Sequence, residues 1–383
     1  MTSTDPVIVV DGHTHITNRI YWERIDPWQP QPFGFDFARA SDAGVNVVIE
    51  NVAPYGYGNF SQTARQTLRL VETAHRYVEA HADRMALALT GDDVRAIVTS
   101  GRLAVVLGVE SGFDHDGDLD VLRAIFRLGV RVVQFATQTC FNAFADSEAG
   151  GPPVWNGINA RGRSLVAEMN RLGVLIDITH ATPTAQAQII DASTAPVVAS
   201  HVGVAAVGGV GMSDDLLRVL AAKGGMVGVI GVSTTLSARY RAWMAAHPDV
   251  AAAAAAPVEQ MIEFRSSKPA PDRDHGEFGT WFDEQMRANH VAAFQPWAEP
   301  EGAVPLVPTP DDWGAHVDHV LRTVGPDHVG IGLDLVGGRS CVPATAAGYP
   351  DLLAALRRTV TSDVVPKVCG DNWMRVFDAV FVP

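Results

Sequence analysis

The sequence predicts an α/β fold in which eight parallel strands close into a (β/α)8 TIM-type barrel, with one long insertion in a βα loop. Three observations predict it. Short runs rich in Val, Ile and Leu recur along the chain, each too apolar to face water on either side. Amphipathic stretches of helical length separate them, so successive strands are joined by crossovers rather than hairpins. The joint RLGV, at Arg127–Val130 and again at Arg171–Val174, repeats one device: a helix ends, Gly takes the left-handed cap, and a buried strand starts. Eight such strands favour closure, with a doubly wound open sheet as the alternative.

Val7–Val10, four β-branched residues, reads as the first strand and runs into Asp11, His13 and His15, which share one parity. Ile20–Gly34 reads as a loop rich in Trp, Pro and Phe. Phe35–Ala43 follows as a short helix, Gly44–Val52 as the second strand and Ser61–Asp83 as a helix with near i, i+3, i+4 apolar spacing. Leu103–Val109 is the third strand, ending in GVESG, and Leu119–Leu128 is a helix. Val130–Thr137, Val174–Thr179, Pro196–Ser200 and Met226–Val232 are the next four strands. Between them lie helices at Arg161–Leu172, Pro183–Asp191 and Asp214–Ala222. Asp311–Val324 is a helix, Val329–Leu333 the eighth strand, and helices around Tyr349–Arg358 and Asp363–Phe377 close the chain.

One barrel domain over residues 1–383 is expected, interrupted at about 233–308. That segment lacks strand patterning and carries AAAAAA at Ala251–Ala256 and the polar run RSSKPAPDRDHGEFG. It reads as a partly helical insertion, either a lid or subunit contact or a plain surface excursion.

With 383 residues, 47% of them hydrophobic, the composition is that of a globular protein. A formal net charge of -14 argues against nucleic acid and anionic membrane surfaces as partners. Cys140, Cys341 and Cys369 have no paired spacing, which suits a reducing compartment. MTSTDP carries no signal-peptide pattern and no uninterrupted apolar run reaches roughly 18 residues, so a cytoplasmic location is expected.

In a barrel every strand's C-terminal end faces one mouth. Those ends carry His13 and His15, Glu110, Gln138, His180, His201 and Asp334. Four of the thirteen histidines thus stand at strand ends, where imidazoles and carboxylates together suit a metal site. The alternatives are structural: His180 and His201 bonded to backbone, Glu110 paired with a loop arginine. The role of His115 is open. Asp11 is placed to orient a ligand from behind. No glycine fingerprint for dinucleotides or phosphates accompanies the strands.

The stretches DGHTH, GVESG, ATQTCFNAFADS, EMNRLGVLIDITH, PVVASH, HVDHVLRTVGPDHVGIGLD and GDNWMRVF run in order from Asp11 to Phe377. Together they resemble the renal (membrane) dipeptidase family of the amidohydrolase superfamily. The resemblance implies a barrel holding two divalent metal ions, usually zinc. His13 and His15 would hold the first, His180 and His201 the second, with Glu110 bridging. Asp334 would be the acid/base and Gln138 the substrate-binding residue. A metal-bridging hydroxide would attack the amide of a dipeptide-like small molecule. Related enzymes that bridge through a carboxylated lysine offer no model, because Lys223, Lys268 and Lys367 all lie away from strand ends. A homodimer is expected by analogy only.

Three departures bear on the substrate. The family's first motif is His-x-Asp, and His15 stands in place of the aspartate, adding one unit of positive charge. Gln138 replaces a histidine that touches the substrate carbonyl. The loop Val202–Met212, VGVAAVGGVGM, lacks the arginine that grips the dipeptide carboxylate. A non-peptide substrate (cyclic amide, lactone or natural-product intermediate) or a metal-dependent lyase or decarboxylase reaction are therefore the alternatives.

Overall fold

The computed structural model describes residues 7–54, 60–111, 113–114, 116–136, 143–148, 151–208, 210–266 and 275–382. In chain order it runs β1 Val10–Thr14, α1 Ile16–Glu23, α2 Phe37–Asp42, β2 Val47–Val52, α3 Phe60–Ala80, β3 Met85–Leu87, α4 Gly91–Thr99 and β4 Leu103–Val109. Next are α5 Leu119–Arg127, β5 Val130–Gln134, α6 Ala160–Leu172, β6 Leu175–Asp177, α7 Pro183–Ala192, β7 Val198–Val202, α8 Asp214–Ala222 and β8 Met226–Val229. The chain ends with α9 Ser233–Leu236, α10 Ala238–Ala246, α11 Pro248–Ser266, α12 His275–Ala293, α13 Pro310–Val324, β9 Val329–Ile331, α14 Tyr349–Thr359 and α15 Asn372–Val380.

The strands pair in parallel in the order β1-β2-β4-β5-β6-β7-β8-β9. The ends of that order meet, because Asp334 N–H donates to His13 O at 3.3 Å and Leu333 N–H donates to Asp11 Oδ1 at 3.0 Å. The result is a near-closed (β/α)8 barrel. β3 is an extra strand outside the ring. It pairs with residues 103–105 of β4, on the stretch below the point where β5 takes over at residues 107–109.

Two apolar layers hold the barrel. Between strands and helices, Val48, Val105 and Val133 pack with helix residues such as Leu122, Leu165 and Trp313. Inside, strand residues such as Val10, Val47, Val132 and Val198 pack on Trp373 and Phe377 of α15. Trp373 is wholly buried and its Nε1–H donates to Ile331 O at 3.1 Å. A Cβ at Gly12 would lie 2.0 Å from the Trp373 ring, so glycine there makes room for the plug. With the N-terminal end sealed, the other end is left for chemistry.

The first strand begins later than its apolar run suggests. Val7 is 67% exposed, and β1 instead runs through the buried polar residues Asp11 and His13. The stretch expected as a loop from Ile20 begins inside α1, which buries Ile16 and Trp22 and is braced by Arg19 Nε donating to Glu23 Oε2 at 3.0 Å. β3 and α4 have no counterpart in the sequence reading: β3 has three residues, too short for a periodicity. α4 announces itself only through the Thr90–Asp93 capping box. Within the insertion, α9 to α12 follow one another from Ser233 to Ala293, broken at Ser237, at His247 and by the undescribed residues. Its α12 lies on α1, with Met286 against Trp22.

Candidate metal centre

Five of the strand-end residues meet at the barrel mouth, and Asp334 joins them at the edge. His13 is the penultimate residue of β1 and His15 follows the strand; Glu110 comes directly after β4, His180 after β6, His201 on β7 and Asp334 after β9. Glu110 sits at the centre. Its Oε2 is 2.7 Å from His15 Nε2 and 3.5 Å from His13 Nε2. Its Oε1 is 3.3 Å from His180 Nε2 and 3.6 Å from His201 Nε2. Asp334 Oδ1 lies 3.5 Å from His15 Nε2.

Hydrogen bonding on the far side of the rings sets two of the tautomers. Ser200 Oγ donates to Asp177 Oδ2 at 2.5 Å, which uses its only proton. It must then accept from His201 Nδ1–H at 2.8 Å, while His13 Nδ1 lies between this hydroxyl at 3.0 Å and Asn51 Nδ2 at 3.1 Å. His15 Nδ1–H donates to Asn51 O at 3.1 Å. The Nε2 lone pairs of His15 and His201 therefore point inward. His13 and His15 Nε2 are 2.8 Å apart, close enough to share a cation or a proton. His180 and His201 Nε2 stand 3.0 Å apart. Asp334 Oδ1 is buried with no hydrogen-bond donor among the described residues. This donor set, nitrogen-rich with two carboxylates, fits a divalent metal ion.

The electrostatics agree. Burial opposes charging His15, yet Glu110 beside it holds its pKa up at about 9. His180 is likewise held at about 9, against burial, by Glu110 and Glu148. Burial also opposes an ionised Glu110, but His15 and His13 outweigh it and keep the carboxyl well below its usual range. His201 is pushed far down by burial and by His13. The pocket draws positive charge towards Glu110.

Ser111, His180 and Asp334 all take positive φ, at 61°, 66° and 53°, so three of the loops leaving the strands turn sharply at the centre. Asp11 does not back a histidine ring. A register shift in β1 turns it to the seam, where it accepts from the backbone N–H of His13 and Leu333 and from Tyr349 Oη. The ring-orienting role falls to Ser200 and Asp177, which sequence reasoning missed; their signal was a polar residue inside the apolar strands LID and VASH. Arg339, also missed, donates from Nη2 to Asp334 Oδ2 at 2.7 Å. Gln138 and His115 lie outside the described residues. Elsewhere, His316 is a buried strut between Val204 N and Leu236 O, and His290 faces Glu23 at 3.4 Å.

The chain is 28% identical over 391 residues to the dipeptidase tcpJ of Claviceps purpurea (strain 20.1), covering 97% of this chain and 76% of that protein. Its fold is similar to that of the probable dipeptidase PvdM from Pseudomonas aeruginosa, with TM-score 0.73 and 18% identity over 98% of this chain and 95% of that one. It is similar again, with TM-score 0.70 and 19% identity over 98% of this chain and 100% of the other, to a metallopeptidase from Rhodobacter sphaeroides liganded with a phosphinate mimic of the dipeptide L-Ala-D-Ala. The family model for membrane dipeptidase (peptidase family M19) matches residues 4–381, nearly the whole chain. The chain accordingly belongs to that family, and with it to the metal-dependent hydrolases of peptide C–N bonds.

Proposed function

We propose that this protein is a binuclear metal-dependent hydrolase that cleaves the amide bond of a dipeptide-like small molecule. The observation that carries this reading is the orientation of Glu110. One of its oxygens faces His13 and His15 and the other faces His180 and His201, an arrangement in which a single carboxylate would serve two cation positions. His13 and His15 would hold one ion, His180 and His201 the second, and Glu110 both. Zinc suits such nitrogen donors. When bound, the ions would lower the pKa of a water towards neutrality and polarise the substrate carbonyl.

The chain's own residues handle the protons. Asp334 Oδ1, buried and beside His15, takes the proton of the attacking water and delivers it to the leaving nitrogen. Its other oxygen is held by Arg339, which keeps the carboxylate aimed. Gln138 would donate its amide N–H to the substrate carbonyl. A non-peptide amide or lactone is the second reading, favoured by the absence of arginine from Val202–Met212. No helix among the described residues is long and apolar enough to cross a membrane. Cys341 and Cys369 are free thiols, which supports a cytoplasmic location. We read residues 1–383 as one barrel domain with its insertion at about 233–308.

The test is hydrolysis of a dipeptide panel by protein stripped with chelator and reloaded with zinc. Cleavage that depends on the added metal is expected. Loaded protein that cleaves no dipeptide would turn the assignment to the second reading.

A further inference from the structure

We infer that the groove between α1, α3 and α12 is a binding site for a small polyanion, a ligand carrying two or more phosphate or carboxylate groups. None of the residues lining this groove belongs to the metal centre, and the inference goes beyond the hydrolase reading without depending on it. The groove holds about 790 Å³, a volume that suits a small molecule rather than the face of another protein. Four arginines line it: Arg24 at the end of α1, Arg69 and Arg76 on α3, and Arg287 on α12. Two acids stand among them, Asp283 and Glu284, so the lining is net positive.

Pairing within the groove leaves positive charge over. Asp283 is taken up by Arg69, whose Nη1 and Nη2 donate to its two oxygens at 2.8 and 2.6 Å. Arg76 meets Glu72 at 3.6 Å, with both side chains exposed. Arg24 and Arg287 are exposed, and no carboxylate among the described residues pairs with either. In a chain with 43 acids to 29 Lys and Arg, a carboxylate is the easier neighbour to find. Exposed arginines elsewhere find one: Arg95 pairs with Asp378, Arg161 with Asp116 and Arg358 with Asp311. Arginines gathered on a concave surface without such partners attract anions and present forks that match phosphate or carboxylate oxygens.

The backbone supplies an independent observation. Arg24 closes α1 with φ 59°, in the left-handed region that a residue with a Cβ enters at a cost and that Gly or Asn fills more cheaply. What the arginine adds there is a guanidinium in the lining of the groove. Aromatic rings fill the wall between the charges. The Arg69 guanidinium lies 5.2 Å from the centre of the Tyr21 ring, and the Tyr77 hydroxyl donates to Asp26 Oδ1 at 3.1 Å, which fixes that ring. They offer a surface to the body of a ligand whose charges meet the arginines. Held by Arg24 and Arg76 on the barrel side and by Arg287 on α12, such a ligand ties the insertion to the barrel. The same two helices, α1 and α12, wall a small pocket at His15 through Ile16, Arg19, His290 and Phe294, so the ligand would fix the helices flanking the metal centre.

The experiment is isothermal titration of fructose 1,6-bisphosphate, tricarballylate and uncharged fructose into zinc-loaded and chelator-stripped protein. It reads binding and not hydrolysis, so its outcome is separate from that of the hydrolase reading. The expected result is that the bisphosphate, the tricarboxylate or both bind with Kd below about 1 mM while fructose does not, and that loaded and stripped protein bind alike. Which anion binds distinguishes phosphate from carboxylate as the group recognised. Arg24→Gln combined with Arg287→Gln should weaken binding by about 10-fold or more, and the corresponding pair of lysine replacements by less, because lysine keeps the charge and loses the fork. Circular dichroism and metal content verify that the variants fold. Binding of neither anion overturns the inference. Binding that the double glutamine variant leaves unchanged also overturns it, as does binding that disappears with the zinc, since the anion would then sit on the metal.

Discussion

Replacing Ser200 with alanine removes one hydroxyl that serves a histidine in each half of the centre. That hydroxyl accepts from His201 Nδ1–H at 2.8 Å and lies 3.0 Å from His13 Nδ1 while donating to Asp177 Oδ2 at 2.5 Å. Without it His201 loses the partner that fixes its tautomer and rotation, while His13 keeps Asn51 Nδ2 at 3.1 Å. Loss of such a partner typically costs about 10- to 100-fold in metal affinity, and here the His201 position should weaken by that factor and the His13 position by less. The fold should survive. Asp177 Oδ1 still accepts from Thr179 N, Thr179 Oγ1 and Ser200 N, so the unpaired Oδ2 costs about 1–3 kcal/mol. Competition titration against a zinc-binding dye reads the affinities, and urea denaturation of the metal-free protein reads the stability. A Ser200→Ala protein that loses stability but keeps wild-type affinity for metal would refute the reasoning, since ring orientation would then owe nothing to this hydroxyl.

Further outcomes follow from the packing and the surface charges. Trp373→Ala should cost about 3–5 kcal/mol in urea denaturation, because a large ring inside the barrel is lost. Metal affinity should change little, since the plug lies at the far end; a parallel loss of metal would contradict the separation of the two ends. Gly12→Ala should destabilise as well, as its Cβ would lie 2.0 Å from the Trp373 ring, and a wild-type melting temperature would show the plug able to move aside. Glu168 is held down at about 2 by Arg171 and Arg123. Its contribution to stability is present above the unfolded carboxylate value of about 4.3 and fades as pH falls towards 2. Because the Arg171 side chain is 61% exposed, that contribution is small. Glu168→Gln should flatten stability against pH across this acid window, and an unchanged slope would contradict the pairing.

The barrel was legible where a strand or helix is governed by its own residues. Leu103–Val109 and Asp214–Ala222 match β4 and α8 end to end, since each is bounded by its own turn or cap. β1 begins later than the apolar run predicts because its buried polar residues look like the end of a strand when they are its middle; Asp11 and His13 are buried at the seam and the centre. Helices α10 to α12 give weak periodicity because their faces are shared among one another, α9 and α1 rather than set on one stripe. The strand-end residues were readable from parallel-sheet geometry, which sends every C-terminal end to one mouth. Asp177, Ser200 and Arg339 were not, because their parts depend on which distant side chain lies opposite, and neighbouring residues carry no sign of that.

The account turns on whether Glu110 joins two ions. Elemental analysis of purified, zinc-loaded protein, with Glu110→Gln beside the wild type, tests this most directly. The account predicts two metal ions per chain in the wild type and loss of metal in the variant. No bound metal in the wild type, or two ions retained without the Glu110 carboxylate, would contradict it.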